Sequence, residues 1–356
     1  MSQLSGNSGE WSEVFVLLML LAYGKVPLAD SDLNLLESQY LDVVEVRRSD
    51  KSGNLSFTIA EDGESIILNS AEIVTTRTEV KSILPLILDA ISGGGKEIVI
   101  PAAEVLLARM RTDMLAAPSS DKTDLVVVVR DHRNGSINPV SFSIKSQIGT
   151  PASLLNASGA TSFRYQVKGS AASVQNLGNL GRDPLQIIKR SNDLGVSICF
   201  GNPLSEQFRE NLLLIDSLMP EIASEMLFGH FSGQASKMVD VVAYLAKKNP
   251  AKVRTNSIDL FYLQKVRSLL SDLALGMTAG KPWDGNYTSN SGYLIVTKQG
   301  KLASIMFSDQ NTFRDYLLKN TRFERGSRER HKYGSIEYSA EGSPFLDLNL
   351  QIRFSK

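Results

Sequence analysis

Disulfides, zinc clusters and a one-signed surface charge are all missing from this sequence. Cys199 is the single cysteine in 356 residues, so no internal disulfide can form, which fits a reducing compartment. The three histidines, His132, His230 and His331, offer no zinc-ligand spacing, and one thiol cannot complete a set. Lysine plus arginine equals aspartate plus glutamate at 38 each, so bulk charge draws in neither nucleic acid nor membrane. Any nucleic-acid surface must therefore be local. Long apolar runs are also lacking. Val14–Tyr23 is too short to span a bilayer, and Glu10 and Glu13 stand where a signal peptide carries positive charge, so a cytoplasmic protein is expected. The Asn-x-Ser/Thr matches at Asn54, Asn134, Asn156 and Asn286 are then chance matches. "SGGGKE" at 92–97 lacks the spacing and trailing hydroxyl of a phosphate loop, which excludes a nucleotide hydrolase of that kind.

What is present describes a folded globule, with 42% apolar and 21% charged residues and no internal repeat. "GEWSEVFVLLMLLAYGK" predicts one helix starting at Ser8 or Gly9 and stopping at Gly24. Short alternating runs follow to residue 69, then helical stretches around 71–91 and 102–114 and a polar loop at 116–122. Asp124–Arg130 and Val140–Lys145 flank Asn-Gly and Asn-Pro turn chemistry and should pair antiparallel. Strands at 162–168 and 196–200 bracket a helix from Pro184, and 205–276 is mostly helical. The expected fold is α/β: a mixed central sheet flanked by helices, with a helical insertion and a β-rich C-terminal segment. Its expected division is a core at 1–200, a helical subdomain at 201–280 and a β-rich segment at 281–356.

Asp124 opens an apolar strand, and alternation puts Ser143 and Lys145 on one face of its neighbour. A carboxylate and an ammonium group at a strand end suit metal-assisted phosphodiester hydrolysis: the carboxylate holds a hard cation such as Mg2+, and the lysine steadies the phosphate or the attacking water. This arrangement resembles the PD-(D/E)xK nuclease core, with one departure. The acidic residue two before the lysine is Ser143 here, so a second metal carboxylate must come from elsewhere. Several families of that superfamily present a glutamate from the first helix, often four residues after a glycine. Gly9 and Glu13 reproduce that spacing, and Glu10 is the alternative one turn earlier.

Longer stretches resemble the HpaII-type restriction endonucleases: "GEWSEVFVLLMLLAYGK", "FSIKSQIG" with "SLLNASGATSF", "FGHFSGQASKM", "WDG" with "SGYLIVTKQG", "RHKYG" and "LNLQIRF", in order along the chain. The resemblance implies a type II restriction enzyme that needs Mg2+, acts on double-stranded DNA beside a companion methyltransferase, and cuts CCGG as the family's namesake does. It also implies in-line attack by water, leaving a 5′-phosphate and a 3′-hydroxyl. A palindromic target favours a homodimer or two monomers acting in turn. The missing carboxylate at Ser143 keeps a second reading open, a sequence-specific DNA-binding protein on a degenerate nuclease fold.

Recognition candidates follow from side-chain chemistry. In "FLDLNLQIRF" the polar residues alternate with leucines, which makes Arg353 a guanine reader with Gln351 and Asn349 beside it, or else leaves a solvated strand face. Arg322, Arg325, Arg328, Arg330, His331 and Lys332 form the most basic local segment, suited to phosphate clamping or to plain solvation. Asn156, Ser158 and Thr161, in the loop after the lysine strand, are candidates for backbone or base contact, although such residues also simply make turns.

Overall fold

The structure is a computed structural model that describes residues 4–51, 53–118, 123–132, 134–287 and 291–355. Residues 119–122 of the expected polar loop, and Thr288 of the Asn286 motif, lie outside the described residues. Two compact units make up the chain: Met1–Ala152 with Thr288–Tyr316, and Ser153–Tyr287 with Leu317–Ser355.

The chain opens with α1 (Ser8–Tyr23), whose cap falls one residue earlier than expected. The Asn7 side chain accepts from the Gly9 and Glu10 amides, and Glu10 Oε2 accepts from the Asn7 amide, completing a capping box. Gly24, at φ 64°, ends the helix in the left-handed conformation that glycine adopts without penalty. Trp11, Val14, Phe15, Val16, Leu17 and Leu18 are all buried, so α1 is apolar all round because the core encloses it.

Next come β1 (Lys25–Ala29), β2 (Leu35–Asp50), β3 (Gly53–Ile59), β4 (Ser65–Leu68) and β5 (Glu72–Thr76). Then follow α2 (Arg77–Gly93), α3 (Pro101–Arg109), β6 (Leu125–Arg130) and β7 (Ile137–Ser146). "EIVTT" is the strand β5 rather than the expected helix start, because four successive β-branched side chains fit a pleated strand and pair with β4. The helix begins only after Thr76, whose side chain caps Glu79 N.

The second unit contributes β8 (Ser153–Leu155), β9 (Ser162–Lys168), α4 (Ala171–Gly178), α5 (Pro184–Asp193) and β10 (Ser197–Pro203). The expected helical stretch follows as α6 (Glu206–Ile215), α7 (Met219–Phe231), α8 (Met238–Lys248) and α9 (Ile258–Ala274). The chain then returns to the first unit with β11 (Gly292–Val296) and β12 (Leu302–Met306), followed by α10 (Gln310–Asn320). The chain finishes with β13 (Thr321–Phe323), α11 (Arg328–His331), β14 (Ile336–Tyr338), β15 (Pro344–Asn349) and β16 (Ile352–Phe354).

In the first unit a nine-stranded sheet runs β1-β12-β11-β7-β6-β2-β3-β4-β5, and β1 also pairs with β2. The sheet is mixed: β11 lies parallel to β7 and β1 parallel to β12, while the other pairings are antiparallel. The expected hairpin forms, with register from Leu125↔Phe142 to Arg130↔Ile137. Alternation then sorts the side chains. Leu125, Val127, Phe142, Ile144 and Leu294 join the core around α1, which leaves Asp124, Ser143, Lys145 and Tyr293 to the opposite face.

The second unit has a four-stranded sheet, β10-β9-β15-β14, and a three-stranded one, β13-β16-β8. Arg164 and Asp347, opposite each other on β9 and β15, make a bidentate ion pair at 2.9 Å for both bonds. The register of β9 and β10 shifts between Cys199 and Gly201. A Cβ on Gly201 would lie 1.9 Å from the Arg164 carbonyl oxygen, so the bulge needs a residue without one. Among the described residues, no helix is long and apolar enough to cross a membrane.

Candidate active site

Three charged side chains from three elements act on one another at one end of the large sheet. Asp124 precedes β6 and is fixed at both ends of the residue: its amide donates to Phe142 O at 3.0 Å, and its Oδ2 accepts from the Ile144 amide at 2.6 Å. Glu13 comes from the second turn of α1, and its Oε2 accepts from the Ala117 amide at 2.9 Å. Lys145, near the end of β7, holds its Nζ 5.3 Å from the ring centroid of Tyr293. That ring is in turn locked by Phe307 and Phe313 at 5.0 and 6.1 Å.

Half-buried charges in such proximity shift one another. Burial lifts the Glu13 carboxyl from 4.5 to about 7, and the nearby Asp124 charge adds to the rise. The Ala117 amide, Arg48 and Lys145 oppose it. Burial also pulls the Lys145 ammonium below its ordinary value, against the pull of Asp124 and Glu13. Two carboxylates and an ammonium group thus share a poorly hydrated site, and a cation would relieve the repulsion between the carboxylates.

Of the two glutamates weighed from the sequence, the structure brings Glu13 to Asp124 and Lys145, whereas Glu10 is engaged in capping α1. Ser143 lies opposite Tyr293 in the β7–β11 register. Among the described residues no group of three or more His, Cys, Asp or Glu side chains gathers around a point. A pair of carboxylates still fits Mg2+, which is usually held by one or two carboxylates while waters and substrate phosphate oxygens complete its shell. Beside Asp124 opens a cleft of about 580 Å3, lined by Arg47, Ser49, Asn54, Ser56 and Thr123 among others.

The other candidates lie in the second unit. Arg353 on β16 is half-buried and paired with Glu324, Nε to Oε2 at 3.1 Å. Asn349 is fully buried, its Nδ2 donating to Ser158 O at 2.6 Å and to Ser162 Oγ at 2.8 Å. Gln351 is buried as well, so the polar side of 347–353 is covered at its centre, with Asp347 and Arg353 half-buried at its ends. Ser158 and Thr161 cap each other across a short 3-10 turn, and Thr161 is buried, while Asn156 is exposed. Arg325, Arg328, Arg330 and Lys332 are exposed and His331 is half-buried; Arg322 faces Glu324 at 3.9 Å.

The sequence reading missed Arg48, buried and electrostatically coupled to Glu13, and Tyr293 under Lys145. A signal for Arg48 existed: Val46, Arg48 and Asp50 alternate on the core-facing side of β2, and charges at such positions call for a reason.

Comparison with known proteins puts the chain among the restriction endonucleases. It belongs to the HpaII restriction endonuclease family, which matches over residues 7–354. It is 34% identical to the type II restriction enzyme HpaII of Haemophilus parainfluenzae over 358 aligned positions, covering 98% of each chain. By that kinship it is a site-specific deoxyribonuclease. No solved structure matches it.

Proposed function

We propose that this enzyme makes Mg2+-dependent double-strand cuts in DNA at a short palindrome, CCGG, the target that the resemblance implies. The observation that carries the chemistry is the mutual electrostatic coupling of Glu13, Asp124 and Lys145. In this reading Asp124 and Glu13 hold the cation, and Ser143 stands where the third acidic residue is missing. Once bound, a divalent cation supplies positive charge to the phosphoryl transition state and lowers the pKa of water. Lys145 contributes N–H donors, aimed by Tyr293, to a non-bridging phosphate oxygen or to the attacking water. Water attacks phosphorus in line, its proton is lost to solvent, the P–O3′ bond breaks, and the departing O3′ takes up a proton. The products are a 5′-phosphate and a 3′-hydroxyl.

For DNA contact, the exposed Arg328, Arg330 and Lys332, with His331, suit phosphates, and Arg353 suits guanine once it exchanges Glu324 for the base. Asn349, Gln351, Ser158 and Thr161 act from behind, bracing the strand and loop that carry Arg353 and Asn156. A companion methyltransferase protecting the same site, a cytoplasmic location and a homodimer on the palindrome complete the reading.

The test is digestion of an unmethylated duplex of known sequence with and without Mg2+, followed by end mapping. Discrete Mg2+-dependent cuts at CCGG support the reading, and discrete cuts elsewhere overturn the target but keep the chemistry. A protein that binds this DNA and leaves it intact would be the non-catalytic binding protein.

A further inference from the structure

Arg48 and Asp50 lie on the core-facing side of β2 and are only 4% and 7% exposed. Burying charged groups is costly unless hydrogen bonds secure them, and apolar residues would fill such places at less cost. The hydrogen bonds they make converge on one short segment. Arg48 Nη2 donates to the Met114 carbonyl at 2.8 Å, while its Nε is buried without a partner. Asp50 accepts from the Asp113 amide at 3.1 and 3.2 Å and from the Met114 amide at 3.3 Å, besides that of its neighbour Lys51. Three residues further on, the Ala117 amide holds Glu13 Oε2. Leu115, between these points, is buried, as is Thr112 just before them. The segment is therefore bolted to β2 at one end and to α1 at the other, and the charge of Arg48 also acts directly on Glu13.

We infer that Arg48 and Asp50 are positioning residues: by fixing residues 113–117 they hold the Glu13 carboxylate where it and Asp124 take up a divalent cation. The inference rests on the metal-site reading proposed above. Outer partners that orient a metal ligand typically control affinity 10–100-fold, which sets the expected size of the effect.

The experiment titrates Mn2+ alone, without DNA, into the full chain and follows the loss of its free electron-paramagnetic-resonance signal. The parent is compared with Asp50→Asn, Arg48→Lys and Glu13→Gln, and each variant's thermal midpoint and DNA affinity in EDTA are recorded. Asp50→Asn should weaken Mn2+ by roughly 10–100-fold in a folded protein whose metal-free DNA affinity stays within about twofold of the parent's. Arg48→Lys, which keeps the charge but shortens the reach to Met114, should fall between the two. Unchanged Mn2+ affinity in both folded variants overturns the inference, and so does failure of both to fold, which assigns the pair to stability alone. A parent that binds no Mn2+, or a Glu13→Gln that binds it as the parent does, removes the metal-site reading itself and the inference with it. A normal parent and an impaired Glu13→Gln, beside undisturbed Asp50→Asn and Arg48→Lys, defeat the inference only.

Discussion

Replacing Glu13 by glutamine should make the metal-free protein more stable at neutral pH and leave it unchanged in acid. In the folded chain Glu13 titrates at about 7, against 4.5 in an unfolded one. Between those values the native state holds a proton that the unfolded state has released, so stability falls as pH rises through this window. Below pH 4.5 both states are protonated and the group is neutral in the balance; above 7 the full cost of an ionised, half-buried carboxylate is felt. A rise of that size corresponds to roughly 3 kcal/mol, and partial hydration trims it to about 2–3 kcal/mol. Glutamine keeps an oxygen for the Ala117 amide and carries no charge. Urea unfolding in EDTA at intervals from pH 4.5 to 8, for parent and Glu13→Gln, gives the difference curve directly. It should rise from near zero in acid to a plateau of about 2–3 kcal/mol above pH 7. A flat curve would refute the proximity of Asp124 and the burial from which the figure was worked.

Lys145→Ala should lower the cutting rate by about two to three orders of magnitude while DNA affinity in Ca2+ is retained, as gel shift and single-turnover cleavage can separate. Undiminished cutting removes Lys145 from the mechanism. Changing Arg328 and Arg330 together to glutamine should weaken binding to all sequences alike and reduce the slope of log affinity against log salt by about 1 per lost phosphate contact. Gly201→Ala should destabilise the second unit by about 3 kcal/mol or more in thermal unfolding, because the new Cβ meets the backbone carbonyl of Arg164, which cannot move aside as a flexible side chain can.

The hairpin that carries Asp124 and Lys145 was legible because two-residue alternation and Asn-Gly turn chemistry agree, and its register follows from that alternation. α1 was legible too, since Gly24 and the acidic first turn mark its ends. The run 72–76 was not. Its apolar residues fit a helical period as well as a strand, and only pairing with β4 decides between them. In the second unit the leucines of 346–350 are buried as the alternation predicts, but alternation alone does not tell a solvated polar face from one covered by partners such as those of Asn349. The alternation of Val46, Arg48 and Asp50 flags the charges on β2, but their partners Met114 and Asp113 lie more than 60 positions along the chain, which no local pattern encodes.

The parallel pairing of β7 with β11 also orders events in time. Lys145 and the strand that flanks it at Ile295 are neighbours in the sheet but about 150 residues apart in the chain. At ~5–20 residues per second of synthesis, Tyr293 emerges roughly 7–30 s after the lysine it will sit beneath. The hairpin of β6 and β7 can form early, yet the finished setting of Lys145 has to wait for the return of the chain. For a member of a restriction endonuclease family, this connectivity builds in an interval during which a nascent chain lacks the finished setting of Lys145.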